Sequence, residues 1–226
     1  MTAFFVTSTG TNIGKTFVTA GLIRHFREAG ERVDALKPVV SGFDVATAAS
    51  SDPGVLLEAL GQAVTPQALA RVSAWQFAAP LSPDMAAARE ERSIDFGDLI
   101  ALCNDAVAAS RDGMLFIEGV GGIMVPLDAR VTVLDWMRAL GIPLIVVVGS
   151  YLGTISHTLT ALEVIARAKL KVAALVINDS GDGAVPLDET RATLRRFVGV
   201  PVATMPRASA PAEARRDFAR LASLLK

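Results

Sequence analysis

The triplet Gly14-Lys15-Thr16 has residue types that could hold a phosphate group. It follows a short apolar segment and precedes a segment with helical periodicity, which predicts a turn between a strand and a helix. Backbone N–H groups at the N-terminus of a helix point towards an anion. A lysine beside them would neutralise the β- and γ-phosphates of a nucleotide, and the Thr16 hydroxyl would bind Mg²⁺.

The spacing of this turn differs from the standard phosphate loop, which reads G-x-x-x-x-G-K-[ST]. That pattern requires a glycine at position 9, where the sequence has Thr9, and the nearest glycine is Gly10. A damaged nucleotide site, a chance match and a variant loop are all compatible with this spacing. The predicted strand before the triplet and the predicted helix after it favour a functional loop over an ordinary glycine turn.

Lysine is used sparingly, with five lysines against seventeen arginines. Lysine provides a compact ammonium where arginine provides a planar fork, so a retained lysine can mark a position that needs the ammonium. Lys15 and Lys37 are therefore candidate catalytic groups. Either position could be lysine by chance, without a functional reason, but chance explains the two lysines together less well.

Two carboxylates are candidate ligands for a cation. Glu118 follows four apolar residues on a predicted strand, a position from which it could reach a metal ion or its water. A solvated strand end explains Glu118 equally well. Asp52 follows the second predicted strand, and a turn aspartate before Pro53 is the simpler interpretation for it.

The hydrophobic pattern predicts strands that alternate with helices. The predicted strands are Ala3–Thr7, Arg32–Val39, Met114–Ile117, Pro143–Val148, Val172–Ile177 and Val202–Met205. The predicted helices are Thr16–Ala29, Asp95–Ser110, Val131–Leu140, Ile155–Ala168, Leu187–Phe197 and Ala212–Leu225. Residues 42–93 are the least regular and are expected to hold loops around a site. We therefore predict a single α/β domain over residues 1–226, with a mainly parallel sheet and helices on both faces.

Glycine, lysine, hydroxyl, amide and carboxylate groups follow five of the predicted strands. In such sheets ligands bind beyond the carboxyl ends of the strands. These segments are residues 8–16, 36–42, 117–122, 149–157 and 177–179. A purely structural sheet does not require this pattern, so we expect the functional site at this edge.

The composition excludes several other classes of protein. The net charge of −1 provides no electrostatic footprint for nucleic acid or an anionic membrane. The only cysteine cannot form an intrachain disulfide, and the most apolar run, residues 142–149, is too short to span a bilayer. The N-terminus has no positive charge before its apolar run, so it does not resemble a signal peptide. We expect a cytoplasmic protein without nucleic-acid or membrane partners.

Taken together, the motifs resemble those of the dethiobiotin synthetase family over nearly the whole chain. That family has a longer phosphate loop, G-T-[DG]-T-x-[VI]-G-K-T, and "STGTNIGKT" matches it with Ser8 in place of the first glycine. The segments "KPVVSG" and "IEGVGG" match two further family signatures. "PLSPDMAA" has Asp84 where the family has histidine, and "LGTISHTLT" has Ser156 where it has asparagine. The resemblance therefore explains the unusual loop spacing.

The resemblance implies a fold of the phosphate-loop NTPase type and an ATP-dependent cyclo-ligase of biotin biosynthesis. Its substrates would be 7,8-diaminopelargonic acid, CO₂ and ATP, with Mg²⁺ as cofactor, and its products dethiobiotin, ADP and phosphate. The family reaction passes through a carbamate and a mixed anhydride with phosphate. A homodimer is also implied, because in the family a second subunit holds the tail of the substrate.

The resemblance assigns roles to individual residues. The implied catalytic residues are Lys15 and Lys37. Those implied for ATP binding are Asn12, Ile13, Gly14, Lys15, Thr16, Phe17, Glu118 and Asn178. The implied Mg²⁺ ligands are Thr16, Asp52 and Glu118. Those implied for substrate binding are Ser41, Gly119, Gly121, Gly122, Gly153 and Ser156.

Two alternative functions belong to different classes. Partner-regulated ATPases that position plasmids or the division machinery share the phosphate loop, but they carry an additional lysine where this chain has Gly10. A regulatory nucleotide-binding module would explain the loop without explaining "KPVVSG" and "PLSPDMAA". Among the departures from the family pattern, Asn12 and Ser156 are expected to alter affinity and not to abolish activity.

Overall fold

The computed structural model describes residues 2–179, 185–207 and 210–226. The strands are β1 (Thr2–Ser8), β2 (Val33–Leu36), β3 (Val39–Ser41), β4 (Trp75–Phe77), β5 (Met114–Glu118), β6 (Leu144–Val148), β7 (Val172–Asn178) and β8 (Val202–Met205). The α-helices are α1 (Lys15–Glu28), α2 (Asp52–Ala59), α3 (Pro66–Val72), α4 (Pro83–Arg89), α5 (Phe96–Ala109), α6 (Val133–Leu140), α7 (Thr154–Arg167), α8 (Leu187–Leu194) and α9 (Pro211–Ser223). A 3-10 helix spans Val45–Ser50.

Six of the strands form one sheet in the order β2-β5-β1-β6-β7-β8. Each neighbouring pair is parallel, so the carboxyl ends of these strands lie at the same edge. The predicted parallel α/β sheet is confirmed. The order places β1 at the centre, between β5 and β6, and this brings the segment after β1 next to the segment after β5.

Helices cover both faces of the sheet, because alternate side chains of each strand point to opposite sides. On one face Phe4 packs in a cluster with Phe26 of α1 and Leu221 of α9. On the other face Phe5 meets Trp136 of α6 edge to face, with ring centroids 4.9 Å apart. Residues of α5, α7 and α8 extend this second cluster. The two apolar layers fix the sheet and hold its carboxyl edge in place.

The prediction of one strand over Arg32–Val39 was wrong, because this segment contains two separate strands. The chain leaves the main sheet after Leu36 and continues as β3 after Lys37 and Pro38. Proline has no backbone N–H for a sheet ladder, and the N–H of Lys37 donates to Val72 O, outside the sheet. β3 then pairs in parallel with β4 in a separate two-stranded sheet. This break places the Lys37 side chain at the carboxyl edge.

Residues 42–93, which were expected to hold loops, also contain β4, the 3-10 helix and three α-helices. Each of these α-helices has eight residues or fewer, which is too short for a clear periodic pattern. Local capping defines them, since Ser51 and Thr65 accept N-cap hydrogen bonds and proline occupies the first turn. The segment forms a compact layer beside the carboxyl edge.

The remaining predicted elements agree with the structure within a few residues at their ends. Helix α6 begins at Val133 instead of Val131, and α8 ends at Leu194 instead of Phe197. Within the described ranges, no helix combines the length and the apolar character needed to cross a membrane.

Candidate functional site

A cleft of about 960 Å³ opens at the carboxyl edge of the sheet. The segments after β1 and β5 contribute to its wall, together with Lys37 after β2, the end of β3, the start of α2 and the turn before α4. Its lining residues are Thr11, Asn12, Gly14, Lys15, Thr16, Lys37, Val40, Ser41, Gly42, Ser50, Ser51, Asp52, Pro80, Leu81, Ser82, Pro83, Val120, Gly121 and Val125. The cleft therefore unites four of the motif segments, "STGTNIGKT", "KPVVSG", "IEGVGG" and "PLSPDMAA".

The loop between β1 and α1 presents the N-terminus of a 14-residue helix to this cleft. Gly14 is the N-cap residue, with φ of 99°, a left-handed conformation that favours glycine. No side chain of the described residues caps this end of the helix. Its N–H groups and the positive end of the helix dipole are therefore directed towards any anion in the cleft.

Lys15 lies at the back of this loop, and its side chain is buried. The ammonium donates to three uncharged oxygen atoms: Ser8 Oγ at 3.1 Å, Gly10 O at 3.3 Å and Gly121 O at 3.0 Å. Burial, followed by repulsion from the Lys37 ammonium, lowers the pKa of Lys15 from 10.5 to about 8. A buried ammonium with neutral partners is well suited to bind a polyanion.

This burial leads to a pH-dependent stability difference. We expect Lys15→Met to raise the free energy of unfolding by roughly 1–3 kcal/mol at pH 7, because it removes a poorly compensated buried charge. The folded-state pKa of Lys15, about 8, lies below the unfolded value of 10.5, so the unfolded chain binds more protons between these values. The free energy of unfolding of the wild type should therefore rise relative to that of the variant as the pH increases from about 8 to 10.5.

Urea unfolding of both proteins between pH 7 and pH 10 measures this difference. Lys171→Met is a matched control, because Lys171 is exposed and precedes β7 at the opposite edge of the sheet. A Lys15→Met difference that stays constant with pH would contradict the lowered pKa.

Lys37 is also buried, but its partners are charged. Its ammonium lies 2.9 Å from Glu118 Oε1, 3.3 Å from Asp52 Oδ2 and 2.6 Å from the Gly119 carbonyl oxygen. Burial alone would lower the pKa of Lys37, but the two carboxylates outweigh burial and raise it. Burial alone would raise the pKa of Asp52, but the Lys37 ammonium and the hydrogen bond from Thr16 together outweigh burial and hold the pKa of that carboxyl below its ordinary value. Lys37 therefore stays charged at neutral pH.

Three oxygen-bearing side chains converge beside Lys37. The Thr16 hydroxyl lies 2.8 Å from Asp52 Oδ1 and 2.7 Å from Glu118 Oε1. Glu118 is fully buried, which rules out the solvated strand end, and its Oε2 has no hydrogen-bond partner within the described residues. Asp52 is the first residue of α2 and contacts both Thr16 and Lys37, so it is more than a turn residue.

These residues fit Mg²⁺ when a nucleotide is bound. Mg²⁺ is usually held by one or two carboxylates together with phosphate oxygens and water. The cluster supplies two carboxylates and a hydroxyl, and the unpartnered Glu118 Oε2 leaves capacity for a ligand. No group of three His, Cys, Asp or Glu side chains that could hold a metal occurs in the described part of the chain.

The residues expected to bind the organic substrate divide into two groups. Ser41 and Gly121 line the cleft, and the Ser41 hydroxyl is buried without a partner among the described residues. Gly119 and Gly122 lie behind the wall, where Gly119 O accepts from Lys37. The backbone at Gly122 approaches Thr9 so closely that an added Cβ would lie 3.1 Å from Thr9 O.

Gly153 and Ser156 are placed elsewhere. Both are exposed around the start of α7, and neither lines the cleft. Gly153 is the N-cap residue of this helix, with φ of 97° and no side-chain cap within the described residues. The structure of one chain therefore does not bring this segment together with Lys15, Lys37 and Ser41.

Of the residues expected to bind ATP, Asn178, Ile13 and Phe17 do not line the cleft, whereas Asn12 does. Asn178 ends β7, and its side-chain amide donates to Ile13 O at 3.0 Å, which links the end of β7 to the phosphate loop. Phe17 is half exposed on α1 and packs against Phe218 of α9, with ring centroids 5.5 Å apart. Asn12 does line the cleft, in a left-handed conformation with φ of 58°.

The sequence analysis assigned no role to several residues of the wall, although the quoted segment "PLSPDMAA" contains Leu81 and Ser82. Ser50 and Ser51 enter it beside Asp52, and Leu81 and Ser82 enter it from the turn before α4. The Ser51-Asp52-Pro53 sequence is a helix-start signal that could have located the first pair. The Ser82-Pro83 pair is a similar signal at the start of α4.

Comparisons with known proteins agree with the motifs. A family model described as an AAA domain matches residues 2–209. The ATP-dependent dethiobiotin synthetase BioD of Acidiphilium cryptum strain JF-5 is 50% identical over 200 residues, which cover 88% of this chain and 89% of that protein. The protein of the same name from Methylobacterium nodulans is 44% identical over 218 residues, covering 94% of this chain and 97% of that protein.

Among solved structures, the cell division ATPase MinD of Pyrococcus furiosus is similar with a TM-score of 0.54 and 16% sequence identity, covering 96% of this chain and 89% of that chain. At this identity the likeness supports only the phosphate-loop NTPase fold. The curated relatives are far more similar in sequence and match this chain over nearly its whole length. On that evidence, the chain belongs to the ATP-dependent dethiobiotin synthetase family, a family of ligases.

Proposed function

We propose that this protein closes the cyclic urea of dethiobiotin from 7,8-diaminopelargonic acid and CO₂ at the expense of ATP, as a step of biotin biosynthesis. Support comes from relatives named ATP-dependent dethiobiotin synthetase. The observation that carries the proposal is the pair of buried lysines, Lys15 and Lys37, facing one cleft beside Thr16, Asp52 and Glu118.

The proposed reaction begins when one amine of the diamine adds to CO₂ and loses a proton, giving a carbamate. A carbamate oxygen then attacks the γ-phosphorus of ATP, and ADP leaves. The second amine attacks the carbonyl carbon of this mixed anhydride, phosphate leaves with the bonding electrons, and loss of a proton gives the cyclic urea. Each step brings anionic oxygen atoms together, so fixed positive charge and N–H donors are the main requirement.

The two lysines have different proposed roles because their partners differ. Lys15 would bind the β- and γ-phosphates, since its neutral partners do not compensate its charge. Lys37, which Glu118 and Asp52 hold in place, would contact the carbamate and the transferring phosphoryl group. Both ammonium groups would stabilise the charge that develops during transfer.

Mg²⁺ would be held by Thr16, Asp52 and Glu118, and it would neutralise charge on the phosphate oxygens when bound. The remaining ATP contacts would come from Asn12, Ile13, Gly14 and Phe17, with Asn178 hydrogen-bonding the adenine. Ser41 and the glycines Gly119, Gly121 and Gly122 would position the diamine or its carbamate, in line with the unpartnered Ser41 hydroxyl at the cleft.

We further propose a homodimer in which Gly153 and Ser156 of one subunit bind the carboxylate tail of the substrate in the other. The exposed α7 N-terminus supports this arrangement, because its N–H groups suit a carboxylate and it does not line the cleft of its own chain. The protein is further proposed to be cytoplasmic, to act as one domain over residues 1–226, and to have no nucleic-acid or membrane partner.

The proposal is tested by incubating the protein with MgATP, bicarbonate and 7,8-diaminopelargonic acid. Mass spectrometry should detect dethiobiotin in proportion to released phosphate, and both should require the diamine. Phosphate release that ignores the diamine but responds to a partner, lipid or DNA would support a regulated ATPase instead. Tight nucleotide binding without turnover would support a regulatory module.

Removing one proposed Mg²⁺ ligand gives a separate prediction. Asp52→Asn retains a hydrogen-bond acceptor for Thr16 but loses a carboxylate, so half-maximal turnover should require roughly ten times more Mg²⁺. A Mg²⁺ titration of turnover at saturating ATP measures this effect. Asp105→Asn on the exposed part of α5 is the control, and an unchanged Mg²⁺ requirement in Asp52→Asn would exclude Asp52 as a ligand.

A further inference from the structure

Ser8, at the end of β1, has a fully buried hydroxyl group in the middle of the nucleotide site. Its Oγ lies 3.1 Å from Lys15 Nζ, 2.6 Å from the Gly10 carbonyl oxygen and 3.1 Å from the Gly121 carbonyl oxygen. A hydroxyl carries one proton and two lone pairs. Ser8 can therefore accept from the Lys15 ammonium while it donates to one of the two carbonyl groups.

We propose that Ser8 is a positioning residue that holds the Lys15 ammonium in place for the phosphates of ATP. This inference rests on the proposed function only in giving Lys15 a phosphate ligand. The dethiobiotin synthetase pattern has glycine at this position, so the hydroxyl is an additional group that this chain supplies. A glycine there would leave the buried ammonium with the carbonyl oxygens of Gly10 and Gly121 alone.

The contacts of Lys15 indicate which of them a phosphate would replace. The ammonium has three protons, and its bonds to Gly121 O at 3.0 Å and Ser8 Oγ at 3.1 Å are shorter than its bond to Gly10 O at 3.3 Å. An incoming phosphate oxygen replaces the longest of these bonds at the least cost. Ser8 and Gly121 would then keep holding the ammonium while it binds ATP.

Ser8 also connects two loops of the site. Both Ser8 Oγ and Lys15 Nζ reach the carbonyl oxygen of Gly121, which belongs to the loop after β5. Gly121 has φ of 57°, and a Cβ added there would lie 2.6 Å from the Val125 side chain, so this position favours glycine. The lysine is therefore anchored to the end of β1 and to the loop after β5, as well as to Gly10 of its own loop.

The experiment measures nucleotide binding by calorimetry, without the diamine. We expect Ser8→Ala and Ser8→Gly each to weaken binding of the non-hydrolysable analogue adenylyl imidodiphosphate roughly tenfold, the typical loss of one hydrogen bond to a charged group. AMP lacks the phosphates that Lys15 binds, so its affinity should change less than about twofold. The matched control is Thr7→Val, because Thr7 is buried in β1 next to Ser8 and its hydroxyl has no partner within the described residues.

A double-mutant cycle with Lys15→Met separates positioning from general loss of structure. If Ser8 acts through Lys15, Ser8→Ala should cause no further loss of analogue affinity in the Lys15→Met protein. Equal losses for AMP and the analogue, an additive cycle, or unchanged or tighter analogue binding in Ser8→Ala would each overturn the inference. Ser8→Gly keeps it testable if Ser8→Ala folds poorly, because the family loop has glycine there.

This measurement is independent of the ring-closing reaction. A protein that failed to form dethiobiotin would contradict the proposed function and would still report the effect of Ser8 on analogue binding. Conversely, a normal dethiobiotin assay with unchanged analogue affinity in both Ser8 variants would retain the function and exclude the positioning by Ser8.

Discussion

Lys37→Gln is expected to lower turnover by at least about a hundredfold, the loss typical of removing one group that stabilises charge in a transition state. Binding of an ATP analogue should change by less than roughly threefold, because a group that acts mainly in the transition state contributes little to ground-state binding. The structure supports this separation of effects. Lys37 is held by Glu118 and Asp52, whereas Lys15 lies in the phosphate loop itself.

Glutamine is chosen because alanine would confuse two effects. Lys37→Ala would leave the fully buried Glu118 without its ammonium, which typically costs about 3–5 kcal/mol of folding free energy. Glutamine also removes the positive charge, but it retains an N–H donor for Glu118 Oε1, so it should cost less folding free energy than alanine. Turnover and analogue affinity should be measured together with the urea midpoint. Turnover near the wild-type rate in a folded Lys37→Gln protein would refute the proposed role of Lys37.

Lys15→Met should lower both the affinity for an ATP analogue and the rate of turnover. We expect ATP-analogue affinity to fall by about a hundredfold or more, because an ammonium paired with phosphate in a buried site makes strong charge-assisted hydrogen bonds. Turnover at saturating ATP should fall as well, since the same charge stabilises the transferring phosphoryl group. Calorimetry with the analogue and a phosphate-release assay separate the two effects.

The contrast between the two lysine variants is more informative than either one alone. Lys171→Met is the control for the loss of one positive charge, and it should leave affinity and turnover unchanged. If Lys15→Met bound the analogue as tightly as wild type, the phosphate-loop assignment would be wrong. The expected rise in stability of Lys15→Met at pH 7 also ensures that weakened binding cannot be attributed to unfolding.

Local sequence patterns were sufficient to predict the position of the phosphate loop. The strand, the loop and the first helix of residues 2–28 are consecutive, so their spacing alone places Lys15 and Thr16 at a helix N-terminus. The alternation of strands and helices was likewise sufficient to predict the parallel sheet. Residues 42–93 escaped prediction because helices of eight residues or fewer are defined by caps and tertiary contacts more than by periodicity.

The sequence by itself therefore determined the fold class, the phosphate loop and the family, because these depend on short-range spacing and on motifs that can be read in order. Only the tertiary structure decided how the charges pair. Lys37 meets Glu118 across 81 positions, and Thr16 meets Glu118 across 102. These contacts exist because β5 lies between β2 and β1 in the sheet, and that order follows from packing of the whole core and not from any local pattern.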